Sequence, residues 1–189
     1  MLQLLSGLAL FFGMHSMSIL ALPLRDKFAA KSEIGWKLVY GAVSLAGLIL
    51  MSRGYADLRL TPTILYVAPV WLYHVVAVLL LPTFILFVAP YFPGRISSVT
   101  KHPQLVAVKL WAVSHLLVNG TLADLLLFGS FLLWAVAVRI SMKRRATRAV
   151  PAMPASKAND IIAVVLGLIV YAATVSWLHE MLFGVRPFV

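Results

Sequence analysis

LQLLSGLALFFGMHSMSILAL, residues 2–22, runs for twenty-one positions without a charged side chain. A helix needs about 20 mostly apolar residues to cross a ~30 Å hydrocarbon core, so this stretch reads as a transmembrane helix. The first charge is Arg25, after the apolar run. A secretory signal would carry its basic residues before the run and a small-residue cleavage site after it. The segment is therefore expected to stay in the mature protein. The rest of the 189 residues agrees, with 62% apolar and 12% charged, against roughly 45–50% and about 25% in a soluble domain. A soluble globule of this size could not bury so much apolar side chain. The composition excludes a soluble enzyme and a disordered chain. With no cysteine, disulfides, thiolate metal sites and thiol catalysis are excluded too.

Five further segments follow the first. They run from about Trp36 to Ser52, Ile64 to Ala89, His102-Pro103 to Asn119-Gly120, Leu122 to Ile140, and Asp160 to Phe183. The third would be roughly 39 Å of helix, long enough to tilt or to kink at Pro82. A very short turn makes the fourth and fifth an expected antiparallel hairpin. The loop Lys143–Asn159, with Lys143-Arg144-Arg145, Arg148, Pro151 and Pro154, reads as flexible and basic. The predicted fold is an all-α, polytopic membrane bundle of six transmembrane helices forming one domain, 1–189.

Six crossings put Arg25, Lys27, Lys31, Lys37, Arg95, Lys101, Arg139, Lys143, Arg144, Arg145, Arg148 and Lys157 on one side. The other side has Arg53, Arg59 and Arg186. Twelve against three is a strong positive-inside asymmetry, so both termini are predicted periplasmic. The net charge of +10 then reflects orientation against the cytoplasmic leaflet, and nucleic acid is excluded as a partner. The partner is the lipid bilayer. Small residues such as Ala42, Ala46 and Gly47 can bring helices close together.

Ionisable side chains in hydrocarbon are costly and mark functional positions. His15, His74, His115 and His179 fall inside segments, while His102 sits at a helix mouth beside Lys101. Two readings stand. Neutral imidazoles from two helices could ligate a haem iron, or each could hydrogen-bond a neighbouring helix as polar glue. Counted from the outer ends, His15 and His74 lie roughly 13 and 10 residues deep and His115 and His179 about 4, which pairs them in that order. Asp124 reads as a helix N-terminal cap beside Asn119-Gly120, Glu180 as solvated or paired with Arg186, and Lys109 as snorkelling.

The chain resembles the NnrU family of bacterial membrane proteins. The resemblance covers essentially the whole chain and rests on Gly7–Ser16 (GLALFFGMHS), Lys101-His102-Pro103-Gln104-Leu105, Lys109–Gly120 (KLWAVSHLLVNG) and Leu127-Phe128-Gly129-Ser130-Phe131. It implies a multi-pass protein of the bacterial inner membrane with an association to denitrification and nitric oxide redox physiology. The same domain is similar to 15-cis-ζ-carotene isomerase, a haem b enzyme. By motif, that likeness implies haem b as cofactor with His15 and His115 as iron ligands and metal-site residues. His74 and His179 are the alternatives that depth suggests. The isomerase has a cysteine just before the second ligand. Here the neighbourhood reads Trp111-Ala112-Val113-Ser114, so a thiolate ligand switch cannot operate. Three functions follow as expectations: a haem-binding NnrU-family protein, a haem-dependent cis–trans isomerase of a carotenoid-like polyene or other apolar lipid substrate, or a non-catalytic accessory factor.

Overall fold

The structure, a computed structural model, describes residues 1–144 and 150–187. The helices found there are α1 (Leu2–Leu20), α2 (Leu22–Lys31), α3 (Glu33–Leu60), α4 (Trp71–Val88), α5 (Arg95–Thr100), α6 (Pro103–Val118), α7 (Leu122–Ser141), α8 (Asn159–Ala173) and α9 (His179–Phe183). A 3₁₀ turn, Ala89–Tyr91, extends α4, and a π-turn, Thr174–Leu178, joins α8 to α9. Among the described residues there are five candidate membrane spans: α1, α3, α4 with its extension, α7, and the run from α8 through α9. The apolar α6 has only 16 residues. Leu2, Leu38, Val67, Val78 and Leu133 are each more than two-thirds exposed, the pattern of a chain whose solvent is lipid.

Three segment boundaries differ from the sequence expectation. Arg53-Gly54 was expected to end the second segment, yet α3 runs on to Leu60, 28 residues in all. Gly54 serves close packing there instead of a turn. At the other end, the Ser32 Oγ accepts from the Gly35 N–H at 3.0 Å and caps the helix. The third segment, expected to be helical from Ile64, becomes helical only at Trp71. Pro62 and Pro69 supply no N–H and disfavour helix in the residue before them. Ile64 instead pairs with Thr121 in an isolated antiparallel bridge, and Leu122 N–H donates to the Thr63 carbonyl at 2.9 Å. Between the first two spans lies α2, where a loop was expected. In the basic Lys143–Asn159 loop, Arg145 and Arg148 lie outside the described residues.

The chain divides into two compact units, Met1–Tyr66 with Thr121–Arg144, and Val67–Gly120 with Arg145–Val189. The fourth and fifth segments thus belong to different units. In the first unit, α1 and α3 are antiparallel and touch backbone to backbone. A Cβ on Gly7 would overlap the Met51 backbone, and one on Gly54 the Leu4 backbone; a Cβ on Gly47 would lie 2.8 Å from Phe11 N. Only glycine permits that approach. Leu4, Leu8, Met51 and Ala123 form the buried cluster, with Phe11, Phe12, Tyr55 and Phe131 packed around it.

The start of α7 is fixed by a capping box. Thr121 Oγ1 accepts from Asp124 N–H at 3.2 Å, and the Asp124 carboxylate accepts from Thr121 N–H at 2.9 Å. The capping role expected for Asp124 is thus met, with Thr121 as the cap. Asp124 is also buried and accepts the Tyr55 hydroxyl of α3 at 2.5 Å. A buried carboxylate is tolerable only when hydrogen-bonded in this way.

In the second unit α4 packs between α6 and α8. It buries Val76, Thr83, Leu86 and Ala89. A Cβ on Gly167 of α8 would lie 2.6 Å from the Ile85 backbone, and Tyr171 O–H donates to Ala77 O at 3.0 Å. At the end of this unit away from His74, His115 and His179, the Asp160 carboxylate accepts from the N–H groups of Arg95 and Ile96 at 2.8 and 3.0 Å. Asn159 Nδ2 donates to the carbonyls of Pro93 and Pro154 at 2.9 and 3.1 Å.

Candidate functional site

His15 is the one histidine of the first unit. It lies thirteen residues into α1, and its Nδ1 is 2.8 Å from the Phe11 carbonyl one turn back. A carbonyl can only accept, so Nδ1 carries the proton and, in the neutral ring, Nε2 holds the free lone pair. The imidazole stacks on Phe11, with centroids 3.9 Å apart and planes at 20°. Tyr40 of α3 and Trp134 of α7 complete the surround at 5.1 and 5.8 Å. Three helices thus orient one imidazole.

His115 repeats the local construction in the second unit. Its Nδ1 is 2.8 Å from the Trp111 carbonyl, again four residues back, and its ring lies 5.1 Å from that of Trp111. Metal-ligating histidines commonly hold their other nitrogen on a carbonyl in this manner. The repeated device, an aromatic residue four positions before the histidine, is legible in the sequence as Phe11/His15 and Trp111/His115.

His179 and His74 stand at the same end of the second unit as His115. Gly167 against Ile85 sets the antiparallel register of α8 on α4, which brings His179 level with the turn that holds His74. The Tyr73 hydroxyl reaches the Val118 carbonyl at 3.5 Å, so the end of α6 is at that level too. Because α4 starts at Trp71, His74 is three residues from its beginning, not ten. His74 is exposed, on the far side of α4 from buried Val76. His179 Nδ1 is 2.7 Å from the Val185 carbonyl, brought back by a left-handed turn at Gly184 (φ 70°). Its ring lies 5.0 Å from Phe183, and the expected pair Glu180–Arg186 forms at 2.8 Å. Among the described residues no group of three or more His, Asp or Glu is placed to hold a bare metal ion.

Three buried polar side-chain atoms have no hydrogen-bond partner among the described residues: Ser44 Oγ, Ser114 Oγ and Trp134 Nε1. Two of them belong with His15. Trp134 makes ring contact with His15. Ser44 is level with His15 in the α1–α3 register set by Gly47 and Phe11, and Ser114 precedes His115 in the chain. Such groups call for an explanation, an additional ligand being one. The surround of His15 fits a haem: an imidazole whose Nδ1 is held by a carbonyl, aromatic walls, and the polar atoms of Trp134 and Ser44 still to be satisfied. Neither Trp134 nor Ser44 was singled out by sequence reasoning. Their relation to His15 exists only across helices, and the sequence signal at Trp134 is an ordinary aromatic in an apolar span.

A family model described as NnrU protein matches residues 3–187. Comparison with curated proteins and with solved structures gives no match.

Proposed function

The chain belongs to the NnrU family, and from that premise we propose a six-span inner-membrane protein that binds haem b through His15 and His115. Its role is in the redox physiology of denitrification and nitric oxide. The observation that carries the reading is the shared geometry of the two histidines. In each, Nδ1 is engaged by the carbonyl four residues back, at 2.8 Å, the anchor that metal-ligating histidines commonly keep on their other nitrogen. Haem, when bound, supplies a one-electron centre. The protein contributes ring orientation, a fixed tautomer and aromatic walls that exclude water.

The test is a haemin titration of the purified protein in mild detergent. The wild type is expected to develop a Soret band that His15→Ala and His115→Ala each abolish, while His74→Ala retains it. A folded wild-type protein that stays colourless would sink the proposal. A Soret band untouched by either key substitution would move the ligands to other side chains.

The sixth crossing is assigned to α6. At about 24 Å it is some 6 Å short of a typical core, a mismatch that local thinning and flanking polar residues accommodate. Its antiparallel packing on α4 supports that assignment. Six crossings leave both termini in the periplasm. In a chain without native cysteine, Arg186→Cys should react with a membrane-impermeant maleimide in intact spheroplasts and Lys31→Cys should not. An unlabelled Arg186→Cys that reacts only after lysis refutes the sixth crossing.

A further inference from the structure

Trp134 holds a buried indole N–H that no group in the described chain accepts. An indole nitrogen is a donor only, so no change of tautomer can relieve it. Ring contacts surround it: His15 with centroids at 5.8 Å and planes at 83°, and Phe12 at 5.8 Å and 35°. The one nearby nitrogen able to accept is His15 Nε2, because Nδ1 is engaged by the Phe11 carbonyl. The indole donor and this acceptor sit on rings in contact, yet the N–H makes no bond to it. A ligand that takes the lone pair of Nε2 at a metal must therefore bring an acceptor of its own for the indole. Ser44 Oγ, level with His15 on α3 and also without a partner, adds a second donor. The site thus asks for a metal on an apolar ring that also carries oxygen acceptors.

We infer that Trp134 donates its indole hydrogen to a carboxylate of the haem bound at His15, with Ser44 as the second donor to that group. Haem b carries two propionate carboxylates on an otherwise apolar ring, so the requirement is met by one molecule. The inference rests on the haem binding proposed above. Trp134 is a positioning residue: it would hold a carboxylate of the bound haem and would not ligate the metal.

The experiment compares haemin with haemin dimethyl ester, which keeps iron and porphyrin but lacks carboxylate charge, on the wild type and on Trp134→Phe. A hydrogen bond to a charged acceptor should weaken haemin binding by on the order of tenfold or more in Trp134→Phe. Binding of the dimethyl ester should change by less than about threefold, since neutral acceptors gain less from the donor. The Soret maximum, set by the axial histidines, should not move.

Equal losses for both porphyrins would mean that Trp134 only packs, and would overturn the inference. So would no loss for either. If Trp134→Phe fails to fold, the wild type alone decides: it must prefer haemin to the dimethyl ester by at least tenfold, and equal affinities overturn the inference. A wild type that binds neither porphyrin overturns the haem proposal and this inference together. A wild type that binds both equally overturns this inference alone.

Discussion

Alanine at Gly47 is the most direct test of the packing that builds the first unit. The new Cβ would stand 2.8 Å from Phe11 N, 3.0 Å from Gly7 O and 3.2 Å from Phe11 Cα, all backbone atoms that cannot rotate away. Ordinary carbon contacts are about 3.5–4.0 Å, so α1 must withdraw by roughly 0.7–1 Å, which forfeits about a quarter to a half of each dispersion well it shared with α3. For roughly 50 atom pairs at about 0.15 kcal/mol each, the loss is about 2–4 kcal/mol. Alanine returns about 1 kcal/mol of helix propensity, leaving a net destabilisation of about 1–3 kcal/mol, in the usual range for overpacking. Gly41 lies on the same helix with nothing within 4 Å of its would-be Cβ, so Gly41→Ala should be neutral or slightly stabilising. The assay is reversible unfolding in mixed micelles, with sodium dodecyl sulfate titrated into a mild detergent and helicity followed by circular dichroism. Gly47→Ala should unfold at clearly lower dodecyl sulfate than wild type, and Gly41→Ala at the same level or higher. Equal midpoints for the two variants would refute the claim that α1 and α3 meet backbone to backbone.

Other outcomes follow from the polar braces. Tyr55→Phe removes the donor to the buried Asp124 carboxylate and should cost about 1.5–3 kcal/mol in the same unfolding assay; a wild-type midpoint would show that the bond contributes nothing. Tyr66, in the segment between α3 and α4, has its phenol pushed above the ordinary tyrosine range by burial, with the Asp124 charge adding to the effect. Because its folded pKa is the higher one, its contribution to stability is complete below the unfolded pKa of about 10 and is lost as pH rises through the folded value. An ultraviolet difference titration of wild type minus Tyr66→Phe should show a phenolate appearing later than free tyrosine, and an ordinary or early titration would contradict the burial. Asp160→Ala leaves the N–H groups of Arg95 and Ile96 without their acceptor. It should speed amide exchange in Arg95–Thr100 and cost about 1–2 kcal/mol, whereas unchanged exchange there would remove the brace from the account.

Much of the fold was legible because hydrophobic length is a local property. The runs that start at Leu2, Trp36 and Leu122 carry enough apolar residues to announce spans, and the basic residues between them suggest an orientation. The end of the second span was misread at Gly54 because a glycine in sequence signals a turn or a close approach equally well. Only the Leu4 backbone lying against it decides between them. The late start of α4 depends on Thr63 and Ile64 pairing with Thr121 and Leu122, more than fifty residues on. Asp124 was legible as a cap, since its partner Thr121 is three residues away, but the Tyr55 hydroxyl 69 positions back was not.

By itself the sequence determined the membrane class, the approximate spans, the family, and the histidines worth weighing. Each follows from composition, periodicity or motif within a few dozen residues. The tertiary structure decided which glycines are helix contacts and how the segments divide into two units. It also brought Tyr40 of α3 and Trp134 of α7 against His15, with the Trp134 N–H finding no acceptor among the described residues. Those properties depend on which helix faces meet and at what register. That is settled by backbone approach and side-chain shape across the seams, a long-range fit that no window of sequence contains.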